Sequence, residues 1–271
     1  MHLPSHHVEK DIPTLWKLIR DSPLGIFTTA ISSSSGSFPL IQSTHIPFVL
    51  DTNDDGKEGE DYGPYGRLRA HLARQNPQCK AMIEAITGST EAGQRTTGDD
   101  TLEQEVLVLF TSPVNHYVTP KFYTETKPVT GKVVPTWNYA AVQVYGKAKI
   151  YFDSKSDETG RFLATQIGDL SHQSETRIMD YTGQGDRPGP WKVTDAPPRY
   201  IELLQKNIVG IEIKIDRLEG KFKMSQEMSK GDRDGVVKGF KTLGTEVGMA
   251  ISDIVQTRSD MHEEAKAQKK G

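Results

Sequence analysis

The stretch GRLRAHLARQNPQCKAMIEA, residues 66–85, joins a strand-like pattern to a helical one, with polar side chains at the join. Residues 66–73 alternate in the manner of a half-buried strand. Residues 76–87 are predicted to form a helix, because their apolar side chains recur at helical spacing. Asn76 is a suitable N-cap, and Pro77 fits the first helical position. The segment therefore predicts a strand, a corner and a helix.

The corner between this strand and helix has features of an anion site. The first turn of a helix presents unpaired N–H groups and a partial positive charge, which stabilise an anion. Arg74 adds a guanidinium fork that suits phosphate oxygens, and His71 adds a further donor. An ordinary junction whose polar side chains face water is the alternative. No GxxxxGK[ST] sequence occurs, so the corner is not a nucleotide P-loop.

Further strand patterns lie on both sides of the corner. Several short strands separated by turns favour an antiparallel barrel or sandwich, and the absence of a βαβ rhythm argues against a Rossmann sheet. We expect 115–123 to be the hairpin partner of 105–113. The other predicted strands are 24–31, 39–51 with a bend near Pro47, 137–153 and 208–226. The other predicted helices are 11–23, 157–180, 199–207 and 231–255.

Composition excludes several classes of protein. The 271 residues include 33 Lys and Arg against 36 Asp and Glu, a formal net charge of −3. This balance does not favour electrostatic binding of nucleic acid by the chain as a whole. The single cysteine, Cys79, cannot form an intramolecular disulfide. The N-terminus has no secretory h-region, and no apolar run approaches the roughly 20 residues that span a bilayer. We expect a soluble intracellular protein.

Metal binding and covalent catalysis find little support in the sequence. DTNDDG, residues 51–56, imitates the start of an EF-hand loop, but Tyr62 stands where the last ligand should be a glutamate. The eight histidines have no zinc-ligand spacing with Cys79. Cys79 falls on an apolar helical stripe, and no Gly-x-Ser-x-Gly elbow occurs. We therefore predict no metal site.

Two other stretches offer contacts for a planar ligand. His45, in the strand-like IQSTHIPF, could face a pocket or be satisfied by backbone groups. The stretch 135–146, PTWNYAAVQVYG, concentrates Trp137, Asn138 and Tyr139. Aromatic rings beside an amide can stack on a ring and hydrogen-bond to it, or they can belong to the core.

Taken in order, the motifs resemble a known family. MHLPSHH, SPLGIFTTA, PLIQSTHIPF, HLARQNPQ, FTSPVNHYVTPKFY, VPTWNYAAVQVYGKA and IVGIEIKIDRLEGKFKMSQ together resemble PaiB-type FMN-binding negative transcriptional regulators. That family is similar to the flavin-binding split barrels related to pyridoxamine phosphate oxidase. The resemblance covers residues 1–240, with insertions at 51–65, 88–104 and 180–198. The insertions and the longer tail suggest a eukaryotic microbial, fungal-like member.

The resemblance implies a mainly β fold with peripheral helices (α+β): a six-stranded Greek-key FMN-binding split barrel. It implies a homodimer with the flavin held between the subunits. Residues 1–226 would form this domain, and 227–271 a C-terminal helical extension with a charged tail. A cytoplasmic location is expected, or a nuclear one for a regulator. DNA is a partner by resemblance only, and no membrane partner is expected.

The resemblance also implies a set of cofactor-binding residues. Those near the phosphate are His71, Ala73, Arg74 and Asn76. Those near the isoalloxazine are Ser43, Thr44 and His45 from one chain, with Trp137, Asn138 and Tyr139 from the partner chain. Those at the K-L-S-Q position of the family are Lys223, Ser225 and Gln226. The family motif continues with Asn and Arg, whereas this chain has Glu227 and Met228, which removes a positive charge near the anion site.

Three classes of function remain open, and the sequence does not decide whether the chain is an enzyme. The first is a flavin-binding protein, either an FMN-dependent oxidoreductase or a chain with a vestigial flavin site; the flavin would supply the chemistry and the protein the placement. The second is a transcriptional regulator, although no helix-turn-helix or basic recognition helix is evident. The third is a heme-binding or heme-degrading split barrel that uses a histidine as iron ligand. The candidate ligands are His45, His71, His116 and His172.

Overall fold

The structure is a computed structural model that describes residues 1–55, 60–88 and 100–268. Its residue contacts define two compact units. The terminal unit comprises Met1–Leu18, Thr111–Val142 and Glu219–Gly271, and the barrel unit comprises Ile19–Phe110 and Gln143–Leu218. Parts of two predicted insertions, residues 56–59 of 51–65 and residues 89–99 of 88–104, lie outside the described residues.

Strands and helices alternate irregularly along the described residues. The strands are β1 (Val8–Glu9), β2 (Leu24–Ala30), β3 (Ile41–Pro47), β4 (Val49–Asp51), β5 (Arg67–Ala73), β6 (Val106–Thr111), β7 (His116–Val118), β8 (Thr136–Tyr151) and β9 (Ile208–Lys223). The helices are α1 (Ile12–Asp21), α2 (Pro77–Thr87), α3 (Thr126–Thr130), α4 (Asp157–Gln173), α5 (Pro198–Gln205), α6 (Lys230–Thr242) and α7 (Glu246–Gln268). No helix in the described ranges is both long enough and apolar enough to cross a membrane.

The barrel unit is built on one curled sheet. Its strand order is β3-β2-β6-β8-β9-β5-β4. β3 and β4 stand at opposite ends of this order, yet only Phe48 separates them in the chain. The bend predicted near Pro47 therefore joins the two ends of the sheet, and β3 with β4 counts as one strand of a six-stranded barrel. The expected mainly β class with peripheral helices is confirmed.

Alternation along the strands fills the inside of the barrel. Leu68, Ala70 and Leu72 of β5 are buried on one face, as the period of two in a strand requires. Phe27 of β2 lies in the same core, and the rings of Phe48 and Phe110 pack edge to face with centroids 5.6 Å apart. The other face of β5 presents Arg69, His71 and Ala73 outward.

Helix α4 covers part of this outer face through polar contacts. Arg69 is 3% exposed and Asp51 4% exposed. The Arg69 guanidinium donates to both Asp51 oxygens at 2.6 and 2.7 Å, and to Asp169 of α4 at 2.6 Å. Burial raises the pKa of Asp51, but the hydrogen bonds and charge of Arg69 outweigh it and hold that pKa below its usual value. The pair ties β4, β5 and α4 together.

The terminal unit combines short strand pairs with the last two helices. β1 pairs antiparallel with the end of β9, and β7 pairs with the start of β8. Arg233 of α6 is almost fully buried; it donates to Ser259 Oγ of α7 at 2.8 Å and pairs with Glu263. The helical tail predicted over 231–255 therefore exists as two packed helices. The division into 1–226 and 227–271 remains a prediction.

The predicted pairing of 115–123 with 105–113 is wrong. β7 pairs with β8 instead, with His116 opposite Asn138. The backbone N–H of Ser112 donates to Ala140 O at 2.9 Å, so the chain leaving β6 already lies along β8. Pro113, which follows, has no backbone N–H to donate to a neighbouring strand.

Candidate functional site

The corner between β5 and α2 is closed by Asn76. Its Oδ1 accepts from the backbone N–H of Gln78 at 2.8 Å, and Pro77 stands at the start of the helix. This is the N-cap geometry expected from the sequence. Asn76 Nδ2 also donates to Thr44 Oγ1 at 3.2 Å. Asn76 therefore joins the first turn of α2 to β3.

Gln78 fixes the same helix end from inside, which the sequence did not indicate. Its buried Nε2 lies 3.2 Å from Phe27 O, 3.1 Å from Thr29 Oγ1 and 3.2 Å from Gln42 O. These acceptors lie on β2 and beside it on β3. The position of the first turn of α2 is thus set by buried hydrogen bonds to the sheet.

Two nitrogens of the Arg74 guanidinium donate to backbone carbonyl groups, and the third has no partner among the described residues. Nη2 donates to Phe152 O at 2.6 Å, and Nε donates to Lys206 O at 3.1 Å. These bonds hold the corner to the segments that follow β8 and precede β9. Nη1 makes no hydrogen bond within the described ranges, so it is the part of the fork that a ligand could use.

The three residues predicted on β3 lie on opposite faces of that strand. Thr44 contacts the corner through Asn76. Ser43 and His45 are exposed, and Ser43 Oγ hydrogen-bonds Thr28 Oγ1 at 2.8 Å. The structure therefore brings Thr44 to the corner and leaves Ser43 and His45 facing away from it.

His71 and Ala73 lie on the outer face of β5. His71 Nδ1 forms a hydrogen bond of 2.7 Å with Gln166 Oε1 of α4. Both residues line a cavity of about 410 Å³ on that face. Gln166 is a second residue that the sequence analysis missed, since it lies 95 positions from its partner.

The chemistry of the corner suits a phosphate group. From Tyr62 to Ile83 the chain has no acidic residue, and β3 has none either. Arg67 and Arg69 are committed to Asp51, but Arg74 and Lys80 have no carboxylate partner among the described residues. Asn76 accepts from the backbone N–H groups of Gln78 and Lys80, and Pro77 has no N–H. The corner therefore offers an anion the positive end of the helix together with the side chains of Arg74 and Lys80.

Asn138, Ser225 and Gln226 form a buried cluster in the terminal unit. Asn138 and Ser225 exchange side-chain hydrogen bonds of 3.1 and 3.2 Å. Gln226 accepts from the N–H of Met224 at 2.6 Å and donates to Phe222 O at 2.6 Å. Ser225 adopts a positive φ of 62°. These side chains are turned inward, where they hold the end of β9.

Lys223 belongs to a charged group at the end of β9. Its Nζ donates to Thr136 Oγ1 and, at 3.1 Å, to Trp137 O; it lies 3.8 Å from Glu227. Burial lowers the pKa of Lys223, and Glu227 opposes this shift. The amine is therefore held by protein groups on several sides.

Glu227 is hydrogen-bonded by a histidine of the MHLPSHH segment that the sequence did not assign to the site, and the Lys223 amine lies 3.8 Å from its carboxylate. His7 Nε2 lies 2.9 Å from Glu227 Oε2. Burial raises the pKa of Glu227, but the His7 hydrogen bond and the Lys223 charge outweigh it, so the carboxyl stays ionised. Burial lowers the pKa of His7, so its neutral ring donates to the carboxylate at neutral pH. The carboxylate of Glu227 is thus met by a hydrogen bond from His7 and by the nearby amine of Lys223.

Trp137 and Tyr139 are the accessible members of their block. Trp137 is 54% exposed, and its ring lies 6.1 Å from that of exposed Tyr117. Tyr139 is half-buried and lies 5.7 Å from Lys221 Nζ. The Trp137–Tyr117 pair is an exposed aromatic surface that a planar ring could use.

The chain belongs to the family described as "Putative FMN-binding domain", whose profile matches residues 1–217. The match includes every corner residue from Ser43 to Asn76 and the Trp137–Tyr139 block, and it ends before Lys223. The resemblance to PaiB-type proteins is thereby confirmed at the level of the family.

The chain is also similar to individual proteins. An uncharacterized protein of Aspergillus fumigatus is 59% identical over 263 residues, covering 96% of this chain and 98% of that one. "Protease synthase and sporulation protein PAI 2" of Bacillus subtilis is 24% identical over 238 residues, with 88% of each chain covered. A solved structure of a conserved hypothetical protein of Mycobacterium tuberculosis aligns with a TM-score of 0.45 at 10% identity, over 84% of this chain and 94% of that one. The expected fungal affinity is confirmed.

Proposed function

We propose that this protein binds FMN, with the phosphate at the corner between β5 and α2. The observation that carries the proposal is the pairing of a capped helix N-terminus with Arg74, whose Nη1 has no partner in the described ranges. Asn76 would fix the helix end, and Lys80 would add positive charge. When bound, FMN would supply redox chemistry, while these residues bind and orient it.

The aromatic part of the flavin needs a different surface. Ser43 and His45 face away from the corner, and Trp137 is exposed in the terminal unit. We propose, as the resemblance implies, that the flavin is shared in a homodimer, with Trp137 supplied by the partner. Light scattering of FMN-loaded protein is expected to give the mass of a dimer. A flavin-saturated monomer would contradict a shared site.

Comparing FMN with riboflavin tests the phosphate assignment. Riboflavin lacks the phosphate, so Arg74→Ala is expected to weaken FMN binding by about 10- to 100-fold, as loss of a charge-assisted bond worth about 1.5–3 kcal/mol implies. Riboflavin binding should change much less. Both affinities are measured by the quenching of flavin fluorescence.

The comparison controls for the structural bonds of Arg74. A general loosening of the corner would weaken both flavins equally, and that result would overturn the assignment. Arg187→Ala is a matched control, because Arg187 forms an exposed ion pair with Asp180; it should leave both affinities unchanged.

The other functions named at the outset remain proposals of lower rank. Regulation rests on the Bacillus relative, whose name refers to protease synthesis and sporulation. Of the four basic residues of α6, Arg233 is buried and paired with Glu263, and Lys230 pairs with Asp234. Lys238 and Lys241 remain, which do not make a basic recognition helix. Heme binding, an oxidoreductase activity, and a cytoplasmic or nuclear location rest on resemblance alone. Absorbance spectra recorded with FMN and with hemin separate the two cofactors.

A further inference from the structure

The cavity beside His71 is large enough for a small molecule. It measures about 410 Å³, within the range of about 300–1,000 Å³ that small-ligand sites occupy. It lies in the barrel unit on the outer face of β5, between α4 and α5. Its apolar lining includes Ile167, Val193, Ile201, Leu204 and Ile208, with the ring of Trp191.

His71 supplies a hydrogen-bonding atom to this apolar lining. Its Nδ1 is bonded to Gln166 Oε1, and its Nε2 has no hydrogen-bond partner in the described part of the chain. Gln166 is fully buried, and its Nε2 is also without a partner there. The buried Gln166 amide carries the cost of an unsatisfied group, although Gln166 itself does not line the cavity. His71 does line it, so its unbonded Nε2 is the atom that a ligand could reach.

The state of His71 determines which chemical group fits. With Gln166 Oε1 accepting from Nδ1–H, the neutral ring has a bare Nε2 that accepts; with the amide reversed, Nε2–H donates. A hydroxyl group serves both cases, because it can donate and accept. An ammonium group, which only donates, or a carbonyl, which only accepts, would serve only one of them. The apolar walls and Trp191 favour an aromatic body behind that hydroxyl.

We propose that this cavity binds an aromatic alcohol, with its hydroxyl on His71 Nε2 and its ring against Trp191. His71 and Ala73 are also among the residues that the resemblance assigns to the flavin phosphate, but Trp191, Ile201 and Leu204 are not, so the proposal goes beyond FMN binding and assigns His71 to a second ligand. The other polar residues of the lining are Ser171, Gln205 and Asn207; Ser171 lies on α4 and limits the site on that side.

Binding of 2-naphthol and of naphthalene to the full chain, free of FMN, tests the proposal. Both are titrated by calorimetry and by the change in tryptophan fluorescence, in which Trp191 is the cavity-lining contributor beside Trp16 and Trp137. Wild-type protein should bind both, with 2-naphthol the tighter ligand. His71→Phe keeps an aromatic ring but removes the acceptor; it should weaken 2-naphthol about three- to tenfold and leave naphthalene within about twofold.

Two further variants locate the site. Ser171→Phe places a ring in the cavity and should abolish binding of both ligands, which keeps the test decisive if His71→Phe does not fold. His172→Phe is the matched control, because His172 is the exposed neighbour on α4 and does not line the cavity; it should bind as wild type does. Trp191→Phe should remove the change in fluorescence while calorimetry still detects binding.

Several results would overturn the proposal. They are failure of wild type to bind 2-naphthol, equal weakening of both ligands by His71→Phe, and unchanged binding in Ser171→Phe. Competition between FMN and 2-naphthol would also overturn it, since the cavity would then belong to the flavin site. Binding of 2-naphthol by a chain that does not bind FMN would support this inference while the flavin proposal fails.

Discussion

Asp51→Ala is expected to lower the free energy of unfolding by about 3–5 kcal/mol, because it leaves the buried Arg69 charge without its main partner. Asp169, on a more exposed part of α4, would remain as the single carboxylate on that guanidinium. The measurement is urea unfolding followed by circular dichroism. The same substitution at Asp180, whose ion pair with Arg187 is exposed, should have little effect.

A double variant separates the energy of the Asp51–Arg69 interaction from the effects of the two single substitutions. Asp51→Ala with Arg69→Met removes the orphaned charge, so it should recover a large share of the stability lost in Asp51→Ala alone. If the double variant loses as much free energy of unfolding as the two single variants together, the Asp51–Arg69 interaction is not the cause of the instability of Asp51→Ala.

The pair also predicts a dependence on pH. The pKa of Asp51 is lowered in the folded protein, so its contribution to stability is present above the unfolded value of about 3.9. That contribution is lost as pH falls through the folded pKa. Wild type should therefore lose stability below about pH 4 more steeply than Asp51→Ala. Parallel pH profiles would contradict this assignment.

Gly146→Ala is expected to destabilise the barrel unit by at least about 3 kcal/mol. A Cβ at Gly146 of β8 would overlap the carbonyl oxygen of Lys214 in β9, and it would lie 3.1 Å from the carbonyl carbon and 3.0 Å from Ile213 Cγ2. Backbone atoms of a paired strand cannot move aside as a flexible side chain can. Thermal unfolding monitored by circular dichroism measures the effect.

Gly168→Ala provides the opposite expectation from the same chemical change. Gly168 lies within α4, and a Cβ there would meet nothing within 4 Å. Alanine should stabilise the helix by about 0.4–1 kcal/mol, because it restricts the unfolded chain and favours helix. Similar effects of the two substitutions would show that the close approach of β8 and β9 is not the reason for the effect of Gly146→Ala on stability.

Local sequence was sufficient where one short segment determines its own geometry. The corner was predictable because Asn76, Pro77 and the apolar repeat of α2 act within a few residues of each other. The bend at Pro47 was predictable for the same reason. The class of barrel came from the resemblance, since the order of strands in a sheet depends on pairings between distant segments.

Partners supplied by distant segments were not predictable. Nothing near Arg74 in the sequence indicates that Phe152 and Lys206 would present carbonyl groups to it. Asn138 had the features of a ligand contact, but its amide is used by Ser225, 87 positions away. The change to Glu227 and Met228 was interpreted as the loss of a positive charge, and nothing near it in the sequence indicates that His7, at the other end of the chain, hydrogen-bonds the Glu227 carboxylate.

The continuity of β3 and β4 has a consequence for how copies of this protein can associate. Open sheets expose edge strands whose unpaired N–H and C=O groups recruit other chains and promote aggregation. In the described barrel unit β3 pairs with β2 and β4 pairs with β5, so the free edges at the two ends of the strand order belong to a strand of seven residues and a strand of three within one bent segment. Because these free edges are short, we expect backbone pairing between copies to be limited there, and single side-chain substitutions should then be enough to alter any association.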